Sequence, residues 1–267
     1  MKKYPILPQL SKNFFNPINS DLENNNLKGN IFRVIELEKD NDSIASLFGG
    51  NDRKLFEITD FRNDGQVSSF SKVYEDNELF SKIEFHYDSQ NRIEKEIAYD
   101  GNGEIIQKVS FLFDSDGRMI EVFKQESDQR FTANYKNGIL ETVIEVSKMQ
   151  EYKNTYTLKR NPKNINQITE VILDKNHGTL FHTFFEYDIN GNIIKEYEQT
   201  DNGEKVLKII KEYDNFRNPT SITYCRKNGN NVYKFKYEYD EHNNWTKTSI
   251  FANDKLTTVT GRRYLYF

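Results

Sequence analysis

Apolar and polar residues alternate along most of this chain with a period of two. Between residues 83 and 123 the odd positions are mostly apolar and the even positions mostly polar, with Ile106, Leu112, Ile120 and Val122 as exceptions. Successive side chains of a β-strand point to opposite faces of the sheet, so the pattern predicts strands with one apolar and one largely polar face. Helical spacing fits no stretch as well.

Two sets of turn-forming residues interrupt this alternation, and within each set most members lie 26 residues apart. Gly, Asn and Asp are typical of tight turns because they tolerate a positive φ or bond their own backbone. Each repeat therefore has room for two antiparallel strands, and the chain for about 18 in all. The first set is centred on Gly65, Asn91, Gly117, Gly191, Arg217 and Asn243, and the second on Asp76, Asn102, Asp128, Asn202, Asn228 and Asp254.

The repeat is irregular between about residues 124 and 180. Gly117 and Gly138 are 21 residues apart, so the hairpin at Gly138 arrives early, and the strand from about Arg130 to Lys136 must be short. The next turn falls at Asn161–Asn164. This irregularity predicts a bend between two sub-sheets or a continuous sheet with a bulge.

We predict an irregular leader over residues 1–26 and one β-hairpin domain over residues 27–267. Its first strand is expected at Ile31–Leu37, followed by a polar loop over residues 39–53. Open twisted sheets rarely exceed roughly 10 strands. The all-β domain should therefore form a large curved sheet, as an open shell, a wide barrel or two packed layers, because its apolar face must be covered.

Composition supports strands and excludes several functions. The chain has 267 residues, of which 36% are hydrophobic, with 20 Phe, 16 Tyr and five Pro, a content that favours strands over disorder. A net charge of −4 gives no field for nucleic acid or a membrane surface. Cys225, as the single cysteine, cannot form an internal disulfide.

The N-terminal residues bear on localisation. Residues 1–10 are interrupted by Pro5, Pro8 and Gln9, so they lack the apolar core of a signal peptide. No apolar run approaches the roughly 18 residues that a membrane helix needs. We expect a cytoplasmic protein, unless the N-terminus has been processed or engineered.

A column of polar residues follows the first-set turns at equivalent positions: Lys95, Glu121, Lys195, Ser221 and Lys247. Strict alternation places it on the apolar face, together with Ile93 and Met119. Charges on such a face either line a wet interior or extend to its rim. We therefore predict that Lys95, Glu121, Lys195 and Lys247, with the aromatic residues Tyr187, Tyr213 and Tyr239, bind a ligand.

The repeated aspartates and aromatics each have two interpretations. Asp88, Asp114, Asp188, Asp214 and Asp240 could chelate a cation, but calcium needs six or more oxygens, so carboxylates that accept backbone N–H bonds in turns are the simpler explanation. The aromatic series (Tyr87, Phe113, Tyr187, Tyr213 and Tyr239) could stack on sugars, although cross-strand packing explains it equally well. No metal or cofactor is predicted.

Catalysis has little support in the sequence. The four histidines, His86, His177, His182 and His242, are scattered, and Cys225 has no recognisable base. The chain carries no phosphate-binding glycine loop and no zinc motif. Repeat arrays present extended surfaces rather than one asymmetric constellation. We predict that the protein is not an enzyme.

The repeated aromatic-Tyr-Asp motif resembles the YD repeats of Rhs-like proteins. Its best matches are Tyr87-Asp88, Tyr187-Asp188 with Gly191-Asn192, Tyr213-Asp214 and Tyr239-Asp240, and the resemblance covers about residues 27–267. Residues 27–31 and the turn from Phe61 to Val67 are similar to the start of short YD-repeat proteins common in Bacteroidetes. Large Rhs proteins wrap such hairpins into a shell around a toxin. This chain has no toxin domain after its last repeat and too few hairpins for such a shell, so the resemblance implies the fold more than the cargo function.

These observations predict a scaffold for macromolecular recognition. A protein partner is the leading expectation, and the resemblance suggests an immunity-like or chaperone-like partner of a bacterial toxin. A carbohydrate-binding module with an aromatic groove is the competing class, and a hydrolase is third. The oligomeric state and the closure of the sheet are left open by the sequence.

Overall fold

The computed structural model describes residues 27–40, 55–176 and 178–267, and in these ranges every regular element is a β-strand. The all-β prediction is confirmed. The predicted leader and most of the predicted polar loop lie outside the described residues, which contain no helix long and apolar enough to cross a membrane. The strands are β1 (Ile31–Asp40), β2 (Leu55–Phe61), β3 (Val67–Tyr74), β4 (Leu79–Tyr87), β5 (Ile93–Asp100), β6 (Ile105–Phe113), β7 (Met119–Lys124), β8 (Gln129–Lys136), β9 (Ile139–Ser147), β10 (Tyr152–Asn161), β11 (Asn164–Lys175), β12 (Thr179–Tyr187), β13 (Ile193–Gln199), β14 (Lys205–Tyr213), β15 (Pro219–Tyr224), β16 (Asn231–Tyr239), β17 (Trp245–Ala252) and β18 (Lys255–Tyr266).

The strands form one closed antiparallel barrel. Each strand pairs with the next one in the chain from β1 to β18. The last strand, β18, then pairs with β1, from Ile31 opposite Tyr266 to Asp40 opposite Thr258. Of the three predicted forms of the sheet, the wide barrel is the one observed.

Alternating strand directions place the two sets of turns at opposite ends of the barrel. The end that carries the first-set turns, such as residues 87–93 and 113–119, is called the lower rim here. Residues 27–30 and Phe267 lie at this rim, where the Phe267 N–H donates to the Asn30 carbonyl at 2.9 Å. The end that carries the second-set turns, such as residues 74–79 and 100–105, is called the upper rim.

One face of the sheet holds the hydrophobic core. Its larger cluster of buried side chains lies on β5 to β11 and includes Val143, which is completely buried. A convex surface spreads side chains apart and a concave one crowds them, so we infer that the buried face is the inside of the barrel. The core consists of Ile93, Val109, Phe111, Met119, Val122, Phe131, Ala133, Leu140, Val143, Tyr156, Leu158, Val171 and Leu173.

The irregular region is a continuous sheet with bulges, which is one of the two alternatives predicted from the sequence. Strands β7 to β12 pair in chain order, and the register shifts between Asn134 and Tyr135 and between Lys159 and Arg160. The predicted strand at 130–136 is observed as Gln129–Lys136. The early hairpin has two causes: β7 has only six residues and only residues 125–128 join it to β8, and Asn137 and Gly138, with φ of 53° and 76°, make a two-residue turn.

A second apolar cluster supports the closure of the barrel. It contains Leu27, Ile31, Val34, Phe61 and Tyr264, which come from β1, β2, β18 and the residues just before β1. Beside the closure, the side chain of Asn244 is 1% exposed. Its amide accepts from the Lys28 N–H at 2.7 Å and donates to the Lys28 carbonyl at 2.7 Å and to the Tyr266 hydroxyl at 3.1 Å.

These bonds predict that Asn244→Ala is strongly destabilising. The substitution removes the partner of two partly buried backbone groups of Lys28, and we expect the free energy of unfolding to fall by roughly 2 kcal/mol. Asn190→Ala is the control, because Asn190 is an exposed residue of an equivalent turn, and it should cost less than about 0.5 kcal/mol. Urea denaturation measures both variants. Equal stability of the two would contradict the assigned role of Asn244.

Candidate binding surfaces

The repeated aspartates hold the turns of the lower rim. Asp88 Oδ1 accepts the backbone N–H bonds of Gln90 and Arg92, each at 2.9 Å. Partial burial opposes its ionisation, but hydrogen bonds from Arg92 and Gln90 outweigh this, so the pKa of Asp88 is lowered. The same two bonds recur at Asp114, Asp188, Asp214 and Asp240. The backbone-acceptor interpretation is confirmed, and the described residues contain no cluster of His, Cys, Asp or Glu that could hold a metal.

Arginines connect neighbouring turns in the first half of the barrel. The Arg92 guanidinium binds Asp88 at 2.6 Å and lies 4.6 Å above the ring of Phe113, one repeat further on. Arg118 likewise binds Asp114 at 2.7 Å and covers Tyr135 at 5.3 Å. Each arginine therefore links the carboxylate of its own turn to the aromatic residue of the next.

Amides and hydroxyls make the corresponding links in the second half. Arg217 Nε donates to Asn192 Oδ1 at 3.0 Å. The Tyr239 hydroxyl donates to Asp214, and the Tyr266 hydroxyl donates to Asp240 at 2.7 Å. These contacts each join turns that lie one repeat apart. The polar groups of these turns are thus engaged by the barrel itself.

The predicted ligand-binding tyrosines also use their hydroxyls internally. The Tyr187 hydroxyl donates to the Ile168 carbonyl at 2.7 Å, and that of Tyr213 donates to the Ile193 carbonyl at 3.0 Å. Burial raises the pKa of both tyrosines. Equivalent bonds join Tyr87 to Val67, Tyr135 to Met119, Tyr237 to Pro219 and Tyr264 to Trp245. This tyrosine ladder, together with the Tyr239–Asp214 bond, supports the packing interpretation of the aromatic series.

The predicted polar column lies on the opposite face from the one assigned by alternation. Ile93 pairs with Tyr87, whereas Lys95 pairs with His86, because a bulge shifts the register between these pairs. Ile93 is accordingly buried and Lys95 exposed. The register shifts at the same place in the repeats of Glu121, Lys195, Ser221 and Lys247. The prediction that this column lies on the apolar face was therefore wrong, because one extra residue reverses the alternation.

On the outer face, most of the column makes cross-strand ion pairs. Lys195 binds Glu186 at 3.2 Å and Lys247 binds Glu238 at 2.6 Å. Glu121 binds Arg130 at 2.9 Å. Exposed pairs of this kind contribute little to stability. The structure does not gather the seven predicted binding residues into one site, since they are distributed over β5, β7, β12, β13, β14, β16 and β17.

The described histidines are also not brought together. His182 lies 2.7 Å from Glu170, which binds Lys159 at 2.8 Å, and this group lies on the outer face. His86 is on β4 and His242 is in the turn at 239–245, while His177 lies outside the described residues. The enzyme prediction stays untested.

Glu145 forms a buried polar cluster that sequence reasoning missed. Its carboxylate is 5% exposed and accepts hydrogen bonds from Tyr152 at 2.6 Å, Tyr156 at 2.7 Å, Asn154 at 3.1 Å and Gln129 at 2.6 Å. Burial opposes its ionisation, but these four bonds outweigh it and lower the pKa of Glu145. Burial and Glu145 together raise the pKa of Tyr152 to about 12. The sequence signal that could have revealed this cluster is the series of polar side chains Tyr152, Asn154 and Tyr156 on one face of β10.

The upper rim exposes more large apolar side chains than the lower rim, near which Leu112, Ile165, Ile189 and Phe267 are exposed. Eight large apolar side chains at or next to upper-rim turns are 38% to 69% exposed. They form two main groups, one on β4 and β6 and the other on β12, β14 and β15. Exposed apolar patches of this kind are typical of interaction sites. The eight residues are Phe80, Ile105, Ile106, Met149, Leu180, Phe181, Val206 and Tyr224.

Three consecutive upper-rim turns also concentrate negative charge. The ranges 74–79, 100–105 and 124–129 contain seven carboxylates and one lysine, a net charge of −6. We call these turns the acidic arc. The turn at 224–231 carries Arg226 and Lys227 on another sector of the rim. The carboxylates of the acidic arc are Glu75, Asp76, Glu78, Asp100, Glu104, Glu126 and Asp128.

The Glu145 cluster predicts a specific pH dependence. Because the folded pKa of Glu145 is lowered, its contribution to stability is fully present above the ordinary glutamate pKa and is lost as the pH falls through the folded value. Glu145→Gln should therefore lower the free energy of unfolding by roughly 2 kcal/mol at pH 7, and the difference from the wild type should shrink in acid. Glu141→Gln, at a half-exposed position of the same strand, is the control. Parallel pH profiles for wild type and Glu145→Gln would contradict this assignment.

Comparisons with known proteins support the fold. No family model matches the chain, and no curated protein matches its sequence. The crystal structure of a porin-like protein from Bacteroides uniformis is similar, with a TM-score of 0.51, 8% identity, and coverage of 88% of this chain and 96% of that protein. A porin-like protein from Bacteroides vulgatus aligns at a TM-score of 0.30 and 13% identity, over 89% and 99% of the two chains. The TcdB2-TccC3 protein aligns at a TM-score of 0.31 and 10% identity. The alignment covers 84% of this chain but only 15% of that protein. The chain thus shares an all-β barrel fold with a porin-like protein.

Proposed function

We propose that this chain is a non-enzymatic scaffold that binds a protein partner through the upper rim of its barrel. The exposed apolar groups of that rim carry the proposal. The lower rim ties its aspartates, arginines and tyrosines into contacts between repeats, while eight of the exposed apolar side chains, including Phe80, Ile106 and Leu180, lie at the upper rim. A partner that covered these side chains would gain about 25 cal/mol for each Å² of apolar surface buried.

The acidic arc supports a partner of defined chemistry. Phe80, Ile105 and Ile106 lie next to the turns at 74–79 and 100–105, which carry five of its carboxylates. A protein surface with basic side chains around an apolar patch complements this arrangement. Charge complementarity of this kind mainly raises the association rate and weakens with salt.

The charges of the outer face favour a role in water. Lys82 and Glu84 form an ion pair at 2.7 Å on β4, and Lys195 and Glu186 pair on β13 and β12. A charged side chain facing the middle of a bilayer costs roughly 2–4 kcal/mol. The likeness to a porin-like protein therefore supports the barrel fold in this proposal and not transport.

A carbohydrate groove has less support than a protein surface. Tyr187, Tyr213 and Tyr239 were its leading residues, and their hydroxyls bind Ile168, Ile193 and Asp214 within the barrel. On the upper rim, Tyr224 and Tyr233 pack edge to face at 5.8 Å. Stacking on a sugar requires flat, accessible ring faces. Neither the internally bonded tyrosines nor the edge-to-face pair of Tyr224 and Tyr233 favours such stacking.

Kinship with the YD-repeat proteins belongs to the proposal as well. It is supported by the 26-residue period and by the shared turn geometry of Asp88, Asp114, Asp188, Asp214 and Asp240. A bacterial toxin as the partner, with an immunity-like or chaperone-like role for this chain, rests on the family resemblance alone.

The proposal predicts that binding depends on the acidic arc. The full chain would be used to capture a stoichiometric partner from native cells, and the purified partner would be titrated against three proteins by calorimetry. The triple variant Glu75→Lys, Glu78→Lys and Glu104→Lys should bind the partner at least tenfold more weakly than the wild type does, because it reverses the charge beside the apolar groups. The wild-type affinity should also fall as salt is raised.

The matched control changes the same charge elsewhere. Glu94, Glu212 and Glu241 are exposed residues away from the upper rim, and their joint substitution by Lys should change the affinity less than twofold. Circular dichroism and thermal melting establish that both variants fold. Unchanged binding by the upper-rim variant, loss of binding in the control, or the absence of any stoichiometric partner would each overturn the proposal.

A further inference from the structure

Three lower-rim turns lack the aspartate that holds the others: the β2–β3 turn has Arg62 at that position, and the adjacent β8–β9 and β10–β11 turns lack it as well. The β8–β9 turn has Lys136 in its place and the β10–β11 turn has Asn161. A cleft of about 460 Å³ opens between these two hairpins. Its apolar surface comes from Ile139, Leu140, Leu158, Pro162 and Ile165. The repeat is thus interrupted at the place where the rim forms a concave site.

Arg160 lines this cleft and occupies the position of a ladder tyrosine. It directly precedes Asn161, as Tyr187 precedes Asp188. Its Nη2 donates to the Leu140 carbonyl at 3.4 Å, 20 residues earlier in the chain. The Tyr213 hydroxyl bonds Ile193 across the same sequence separation. A tyrosine would satisfy this structural role, so the packing of the barrel does not account for the positive charge.

The charge of Arg160 has no carboxylate partner among the described residues. Its two hydrogen bonds go to backbone carbonyls, that of Leu140 and that of Ile165 at 2.9 Å. Its Nε is buried without a hydrogen-bond partner, and burial lowers the pKa of the guanidinium. Arg92 and Arg118, in contrast, each bind the aspartate of their own turn.

The remaining charges of the cleft balance one another. Lys136 lies 3.9 Å from Glu141, and both line the cleft. Arg160 therefore supplies one uncompensated positive charge beside an apolar surface. A single negative charge attached to an apolar body complements this combination, whereas a doubly charged phosphate would also meet the Glu141 carboxylate.

We propose that the cleft binds a small monocarboxylate with an apolar body. Of the five N–H groups of a guanidinium, two are used by the carbonyls and Nε–H is buried, so one N–H on each terminal nitrogen can bind a carboxylate through charge-assisted hydrogen bonds. The apolar body of the ligand packs against Leu158, Pro162 and Ile165. The volume of the cleft falls within the range of small-molecule sites, about 300–1,000 Å³. This site is on the opposite rim from the proposed protein surface and does not depend on it.

Octanoate is a suitable probe, with octanamide as its uncharged counterpart. Calorimetric titration of the full chain, below the micelle concentration, should show saturable binding of one octanoate. Octanamide should bind at least tenfold more weakly, because it lacks the charge that pairs with Arg160. Equal affinities for the two compounds, or no saturable binding of octanoate, would overturn the proposal.

Arg160→Tyr is the decisive variant because it restores the residue type of the ladder. Its hydroxyl can take over the bond to the Leu140 carbonyl, so the barrel should keep its melting temperature. We expect octanoate binding to weaken at least tenfold, while the affinity for octanamide stays within twofold. Wild-type affinity for octanoate in this variant would overturn the role of Arg160.

A second variant fills the cleft and keeps the arginine. Ile165 is 48% exposed, so Ile165→Trp can place its ring over the apolar surface without disturbing the core. Both octanoate and octanamide should then bind at least fivefold more weakly. If both compounds bind Ile165→Trp as they bind the wild type, their site lies elsewhere and the proposal is wrong.

Discussion

The pairing of β1 with β18 is the contact on which the rest of the structure depends. An open sheet of this size would expose two edges with unpaired backbone groups, which invite pairing with other chains. Closure removes both edges and makes the apolar face concave. Contacts between distant parts of the chain then hold the seam: Glu36 binds Arg262 at 2.5 Å, and Asn244 binds Lys28 and Tyr266. The seam and the second apolar cluster, around Leu27 and Tyr264, stabilise the same part of the ring.

The barrel uses its two rims differently. On the lower rim each repeat bonds to the next, through arginines above aromatic rings and through tyrosine hydroxyls on backbone carbonyls. The upper rim carries the acidic turns and eight exposed large apolar side chains, against four near the lower rim. In the function proposed above, the lower rim maintains the shape of the barrel and the upper rim is the surface offered to a partner. Two adjacent turns that lack the aspartate, at Lys136 and Asn161, border the cleft.

The regular features of the fold could be predicted from the sequence because they are local and repeated. The period of 26 located the strands and turns, and the chemistry of Asp in tight turns gave the role of Asp88 and its equivalents. The face of Lys95 could not be predicted, since one bulged residue reverses the alternation and leaves no clear signal in composition. Closure was also beyond the sequence, because it depends on pairs such as Glu36 and Arg262 that are 226 residues apart. The roles of Glu145 and Arg160 follow from their burial and their hydrogen-bond partners, which only the three-dimensional structure shows.

Amide hydrogen exchange tests closure most directly. In a closed barrel the amides of β18 between Thr258 and Gly261 are held between β17 and β1, so their protection should match that of β8 and β9. An open sheet would leave β1 and β18 as edges, with about every second amide directed to solvent. Slow exchange along both β1 and β18 is the result that this structure predicts. Rapid exchange at alternate residues of these two strands, with β8 and β9 still protected, would contradict the closed barrel.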